Sequence, residues 1–312
     1  MQSPIPFARI GTRGSPLALA QARLVRELLC QAHGIGQADI EIEVFSTGGD
    51  RSQAENTTLS DIGGKGVFTK EIDEALLSGR IDIGVHSSKD VATGMPQGMV
   101  LAAFLEREDV RDAFISVSAR DIDTLPEGAR FGTSSIRRAA QALRLRPDLR
   151  IVPFRGNVHT RLKKLLDGVA DATLLALAGL NRLDEAHRAT AILDTKAFMP
   201  APAQGAIALA IRDADARFAG IVAPLDHAPT HAGILAERTM LSVLDGSCRT
   251  PVGALSTRTG AGYELCGEIL SLDGQTSFQA QATGSDPVAL GEQVGRDLLA
   301  QAGADWQTRF LA

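Results

Sequence analysis

The sequence predicts an α/β protein: two α/β halves followed by a smaller C-terminal α+β domain. Three observations carry this. Short apolar runs alternate with helical patterns at βαβ spacing, once before and once after the segment Leu105 to Asp112. A further apolar run, Ala206 to Ile211, follows Pro200-Ala201-Pro202 and can return to the first sheet. From about Pro229 the order changes to one helix, three strand-like segments and a last helix. The expected domains are 1–106 with about 204–224, then 112–200, then 229–312.

Taken in order, Ala8 to Gly11 is a short strand, and Ser15-Pro16 starts a helix with Ser as cap and Pro at the first helical position. Leu17, Ala20, Leu24 and Leu28 form its expected buried stripe, and Gly34 stops it. Ile40, Ile42 and Val44 alternate as a strand. Ser46 to Gly66 is polar and glycine-rich and reads as a loop. Phe68 to Ser78 is helical, and Ile81, Ile83 and Val85 lead a strand into His86-Ser87-Ser88-Lys89-Asp90.

The second half repeats the pattern. Ala113 to Val117 and Arg130 to Gly132 are strands, and Thr133-Ser134-Ser135 caps a helix through Ile136, Ala140 and Leu143. Ile151 to Phe154 is a strand, Asn157 caps the helix Val158 to Leu166, and Ala172 to Leu177 is a strand. Two such halves predict a hinged pair with a ligand cleft between them. In the last domain, strands around Val252 to Ser256, Tyr263 to Leu272 and Ser277 to Thr283 are joined by glycine turns. The final helix begins at Asp286-Pro287 and buries Leu290, Val294 and Leu298.

Composition excludes several classes. The 32 basic and 37 acidic residues give a formal charge of −5, which suggests neither a nucleic-acid nor a membrane partner. No apolar run approaches a membrane span, and Met1 to Arg9 lacks the pattern of a secretory signal. Cys30, Cys248 and Cys266 are an odd, widely spaced set, so neither a disulfide framework nor a metal site is expected, and the compartment is read as the cytoplasm.

Cationic and hydroxyl residues gather at the ends of elements: Arg13 and Ser15; Lys65; Ser87 and Lys89; Thr133, Ser135, Arg137 and Arg138; Arg155 and Arg161. Singly, each is a solvated side chain or a surface ion pair. As a set at strand ends and helix starts they describe a site for a ligand with many carboxylates or phosphates. Asp90 stands among them either as a structural ion-pair partner or as a group that stabilises a cationic intermediate or carries its proton. His86 reads equally as a packed or a catalytic histidine. Lys65, in Gly63-Gly64-Lys65-Gly66, lacks the Ser or Thr of a nucleotide loop. Cys248 follows a helix that Gly246 is suited to end with a left-handed cap, and Pro251 prevents helix from resuming. It is a small turn residue or, beside Arg249, a presented thiol.

Six stretches together resemble one family. They are Gly11-Thr12-Arg13-Gly14-Ser15-Pro16-Leu17-Ala18, Gly63 to Phe68, His86 to Val91, Gly132-Thr133-Ser134-Ser135-Ile136-Arg137-Arg138, Arg155-Gly156-Asn157-Val158 and Gly246-Ser247-Cys248-Arg249. In that order they are similar to the hydroxymethylbilane synthase, or porphobilinogen deaminase, family. The resemblance implies two α/β domains like the lobes of type II periplasmic binding proteins, plus a third domain whose Cys248 carries a dipyrromethane cofactor through a thioether. It implies a monomeric transferase of tetrapyrrole and haem biosynthesis. Such an enzyme deaminates porphobilinogen and joins four units head to tail on that primer, then releases hydroxymethylbilane by hydrolysis.

By the same resemblance, Arg13, Ser15, Lys89, Thr133, Ser135, Arg137, Arg138, Arg155 and Arg161 would bind the acetate and propionate groups. Asp90 would stabilise the electron-poor species left when ammonia departs. Lys65, Phe68, Ser87 and Gln204 would line the cleft, and Ser52 to Ile62 would act as a lid. Asp61 and Ala92 depart from the family pattern. The rival expectation is a non-catalytic two-lobed binding protein for a polyanionic small molecule, which needs neither a presented thiol nor a third domain.

Overall fold

A computed structural model gives the structure, and it describes residues 6–48, 69–247, 250–260, 262–303 and 305–310. Strand β1 (Ala8–Arg13) leads into helix α1 (Pro16–His33), which begins where Ser15 and Pro16 predict. Ser15 Oγ accepts from the Ala18 N–H at 3.3 Å, and Gly34 closes the helix at φ 65°. The buried face is Gln21, Ala22, Val25 and Leu29, not the expected stripe of Leu17, Ala20, Leu24 and Leu28. The face is turned by one residue because Gln21, which hydropathy places outside, points inward to the Ser87 hydroxyl.

Strand β2 (Ile40–Phe45) lies at the sheet edge, which leaves Val44 exposed. Helix α2 (Lys70–Leu77) buries Ile72, Ala75 and Leu76. Strand β3 (Ile83–Ser87) ends in a single 3-10 turn, Ser88–Asp90. Strand β4 (Met99–Phe104) is an apolar run without alternation, and nothing in the pattern marked it.

The second half supplies β5 (Asp112–Ser116), β6 (Arg130–Gly132), α3 (Ile136–Leu145), β7 (Arg150–Val152), α4 (Val158–Leu166), β8 (Ala172–Ala176), α5 (Leu177–Asn181) and β9 (Ala191–Ile192). Ser135 and Asn157 cap α3 and α4 as their side chains predict. Strand β10 (Ile207–Arg212) and helix α6 (Ala216–Val222) follow. The last part holds α7 (Ala228–Val243), β11 (Val252–Thr259), β12 (Gly262–Leu270), β13 (Ser277–Gly284), α8 (Pro287–Ala302) and α9 (Trp306–Phe310).

One sheet has the order β2-β1-β3-β10-β4 and another the order β7-β6-β8-β5-β9. Both follow one plan. Three parallel strands are flanked by an antiparallel one, β10 returning from later in the chain in one sheet and β5, which directly precedes β6, in the other. The sheets are therefore mixed, with β10 and β5 running against their neighbours. β10 joins the first sheet between β3 and β4, as the run Ala206 to Ile211 suggested. The third sheet, β11-β12-β13, is antiparallel, and its core is made with α7 and α8 through Met240, Leu265, Ile269, Val294 and Leu298.

The chain divides into two compact units, Met1–Arg107 with Ala206–His231, and Glu108–Gly205 with Ala232–Ala312. In the first unit one core packs on the α1 side of the sheet, with Ile10, Val25, Leu29 and Leu209. A second core packs on the α2 side, with Phe45, Ile72, Leu76 and Met99. The second unit contains both the second sheet and the antiparallel sheet, each with its own buried residues.

The end of α7 differs from expectation. Asp245, not Gly246, takes the left-handed conformation, at φ 47°. The Gly246 N–H donates to Leu241 O at 2.8 Å and the Asp245 N–H to Ser242 O at 3.0 Å, the paired bonds of a Schellman cap. Asp tolerates that conformation. Glycine is needed at 246 because a Cβ there would run into the Leu241 side chain.

Candidate active site

Parallel pairing of β1 with β3 brings their carboxyl ends together, where ligands of open α/β sheets bind. Arg13 ends β1, Ser15 caps α1, and Ser87 with the turn Ser88–Asp90 follows β3. Arg13, Ser15, Gln21, His86, Ser87 and Asp90 are among the residues lining a pocket of about 60 Å³ there. The N-terminus of α1 adds free N–H groups and the positive end of its dipole. Asp90 is exposed, and its carboxylate makes no hydrogen bond or ion pair among the described residues. Lys89 is half-buried beside it.

Gln21 is a site residue that sequence reasoning missed. It is 2% exposed, and its amide donates to Ser87 Oγ at 3.0 Å, with the reverse Ser87-to-Oε1 contact at 3.1 Å. The available signal was a polar residue at a spacing that puts it on the inner face of α1. His86 is buried at the back of the same pocket. Burial, and then the Arg13 charge, lower its pKa from 6.5 to about 4, so the imidazole is neutral.

The second unit builds a comparable end. β6 and β7 are parallel neighbours, and the segments after them carry the starts of α3 and α4. The Phe154 N–H donates to Ser134 Oγ at 3.0 Å, which ties the two starts side by side. Thr133 Oγ1 accepts from the Ser135 N–H at 3.1 Å, and Asn157 Oδ1 accepts from the Thr160 N–H at 2.9 Å. Arg155 and Arg161 are half-buried at this end, Arg161 held by its Nε donating to Gly156 O at 2.8 Å. Two adjacent helix N-termini with hydroxyls and guanidinium groups form an anion-binding arrangement.

Arg137 and Arg138, in the first turn of α3, and Gln204 turn inward at the same end of the sheet, where Asp112 pairs with Ala176 at the carboxyl end of β8. Their side chains converge on Asp112, the buried first residue of β5. Asp112 accepts from Arg137 Nη2 at 2.8 Å, Arg138 Nη2 at 2.7 Å and Gln204 Nε2 at 2.9 Å. Arg137 also donates to Met199 O, and Arg138 to Leu174 O. In this structure these forks and the Gln204 amide meet a carboxylate of the protein itself. Burial pushes the Arg137 guanidinium down from its usual pKa, the Asp112 charge opposes that, and Arg138 adds to it. Beyond this network Glu268, buried on β12, accepts from Gln141 Nε2 at 3.0 Å, from Gln279 Nε2 at 2.8 Å and from Arg144.

Lys65, Phe68, Cys248, Arg249, Asp61 and the expected lid lie outside the described residues. Thr250 Oγ1 accepts from the Ser247 N–H at 3.0 Å and donates to Ser247 O at 2.7 Å. Among the described residues no group of His, Cys, Asp and Glu could hold a metal ion.

Two family models match the chain. Residues 8–220 match the dipyrromethane cofactor binding domain of porphobilinogen deaminase, and residues 232–300 match its C-terminal domain. The chain belongs to the porphobilinogen deaminase family.

Curated relatives agree. A porphobilinogen deaminase of Nitrobacter hamburgensis is 51% identical over 306 residues, covering 97% of this chain and 96% of that one. One from Nitrobacter winogradskyi is 50% identical with the same coverage. Among solved structures, a periplasmic substrate-binding protein of an ABC transporter from Coxiella burnetii aligns with a TM-score of 0.43 and 16% identity, covering 74% of this chain and 95% of that one. The porphobilinogen deaminase family membership leaves the non-catalytic binding-protein reading without support.

The donor set at each strand end, taken by itself, is of the kind that suits the family's dipyrromethane group. Hydroxyls, helix-start N–H groups and guanidinium forks suit a molecule carrying several carboxylates.

Proposed function

We propose that this member of the porphobilinogen deaminase family works its reaction at the strand-end pocket of the first unit, with Asp90 as the carboxylate at the reacting centre. The chain is a transferase of tetrapyrrole biosynthesis, a hydroxymethylbilane synthase, with porphobilinogen as substrate and dipyrromethane as cofactor. The observation that carries the Asp90 assignment is that its carboxylate stands at the pocket with no partner among the described residues, while the cations around it sit on neighbouring strand and helix ends.

A carboxylate in that position accepts a pyrrole N–H and offsets the positive charge that grows on the ring as ammonia leaves the aminomethyl carbon. Arg13, Ser15, Ser87 and Lys89 bind acetate and propionate groups at the first unit's strand ends, and Gln21 orients the Ser87 hydroxyl. Thr133, Ser135, Arg155 and Arg161 do the same at the second unit's strand ends. His86 stays neutral, which keeps a further cation out of the pocket wall. Arg137, Arg138 and Gln204 act through Asp112 by fixing the start of β5 and the 201–205 loop. Lys65 and Phe68 are assigned to the substrate side. Cys248 is the point of covalent attachment. The dipyrromethane group, when bound, supplies the pyrrole end onto which substrate units are joined.

Net charge, the free Cys30 and Cys266, and the family support a cytoplasmic enzyme with no nucleic-acid or membrane partner. No helix among the described residues is long and apolar enough to cross a membrane. A monomer is the state we assign, and light scattering at working concentration checks it.

The Asp90→Asn variant tests the central role. It is expected to retain the covalent cofactor by intact mass and to lose most turnover, about a hundredfold or more. Near-normal turnover with the cofactor in place would reject the assignment.

A further inference from the structure

The first unit holds a second cavity, of about 310 Å³, on the α2 side. This is within the size range of small-molecule sites. His86 and Thr69 line both this cavity and the catalytic pocket, so the two spaces share a wall. Leu77, Val91, Met95 and Pro96 give it apolar sides.

Its polar end has a definite sign. The half-buried Asp73 carboxylate accepts from Thr69 Oγ1 at 2.7 Å and has no ion-pair partner among the described residues. Glu74 also faces the cavity, and Lys70 pairs with Glu74 at 3.9 Å. His86 is 6% exposed and neutral, and its ring makes no hydrogen bond among the described residues. Among the described lining residues two carboxylates stand against one lysine. Burial pushes the Asp73 carboxyl up, Thr69 pulls it down, and Glu74 and Glu71 push it up again. That is the state of a carboxylate lacking a counter-charge. The acetate and propionate arms of the substrate are disfavoured beside these carboxylates.

We propose that this cavity binds a small organic monocation: an apolar ring or short chain bearing one amine or amidine, its charged end on Asp73 and its body against Val91 and Met95. A cation there supplies the missing counter-charge, and the unbonded His86 ring is within reach of its donors. The cavity's lining is sufficient for this binding whether or not Asp90 acts in catalysis.

The test titrates the cofactor-loaded protein with benzamidinium, and with neutral benzamide of nearly the same shape. Calorimetry gives the affinity, and the methyl resonance of Met95 reports the place. Benzamidinium is expected to bind with a Kd on the order of 1 mM and to move that resonance. Benzamide is expected to bind about tenfold more weakly, and Asp73→Asn to reduce benzamidinium to the benzamide level. Met95→Phe, which narrows the cavity, should weaken both ligands. Equal wild-type affinity for the two ligands, or benzamidinium binding that leaves the Met95 resonance unmoved, would overturn the proposal without any variant. So would unchanged binding to a folded Asp73→Asn protein. Turnover is not a readout, so failure here leaves the Asp90 role standing.

Discussion

Asp112 and Asp90 are both carboxylates among cations, yet their surroundings assign them opposite work. Asp112 is fully buried and takes hydrogen bonds from two arginines and a glutamine. Removing it leaves two desolvated guanidinium groups without their charge partner, which costs about 3–5 kcal/mol. Asp112→Ala is therefore expected to lower stability by that amount in urea unfolding. Arg296→Ala, which breaks an exposed pair with Glu292, is expected to stay within about 0.5 kcal/mol. Equal effects from the two variants would contradict this ranking.

The Asp112 cluster was not legible in the sequence. Arg137 and Arg138 lie 25 and 26 residues from it, and Gln204 lies 92 away. Local spacing shows that an arginine is near a helix start but not which way its fork points. Arg13, Ser15, Ser87 and Asp90 were legible because the end of a strand fixes their position directly.

His86 gives a pH signature. Its pKa falls from 6.5 to about 4 on folding. Between those values the unfolded chain binds a proton that the folded chain does not, so this group's stability is full above about pH 6.5 and is lost as pH falls towards 4. The size is about 3 kcal/mol at most. His86→Leu should flatten stability against pH across that window in denaturant titrations. An unchanged slope would show that His86 does not titrate as buried.

At the scale of elements, caps were the most readable signals. Ser15, Ser135, Asn157 and Asp286 all accept backbone N–H groups at the starts of their helices. Each has the side-chain oxygen that an orphan donor needs. Asn157→Ala should cost about 1 kcal/mol by thermal unfolding. It should also weaken substrate saturation, because the same cap holds the loop that carries Arg155. A loss of stability with no change in KM would place that loop away from the substrate. Helix faces were less readable. The α1 stripe was off by one residue because an inward glutamine serves a hydroxyl, and hydropathy does not register that demand. The α7 cap was off by one because glycine at 246 answers a close approach by Leu241 rather than a left-handed φ.

For the whole molecule, the return of β10 to the first sheet was visible because an apolar strand-like run stood isolated after Pro200-Ala201-Pro202. The mixed pairing was not visible, since an apolar strand reads alike in either direction. The separation of 112–200 from 229–312 remains our proposal for domain organisation. Those segments have separate cores, while Glu268 on β12 takes hydrogen bonds from α3 within one compact unit.

The carboxylate-binding roles we propose require an anionic primer on the chain. Intact mass measures that directly. Protein made in cells that supply porphobilinogen should exceed its sequence mass by one covalent dipyrromethane group, and Cys248→Ser should remove the excess together with turnover. A fully active protein at its bare sequence mass, or an excess that survives Cys248→Ser, would contradict the account.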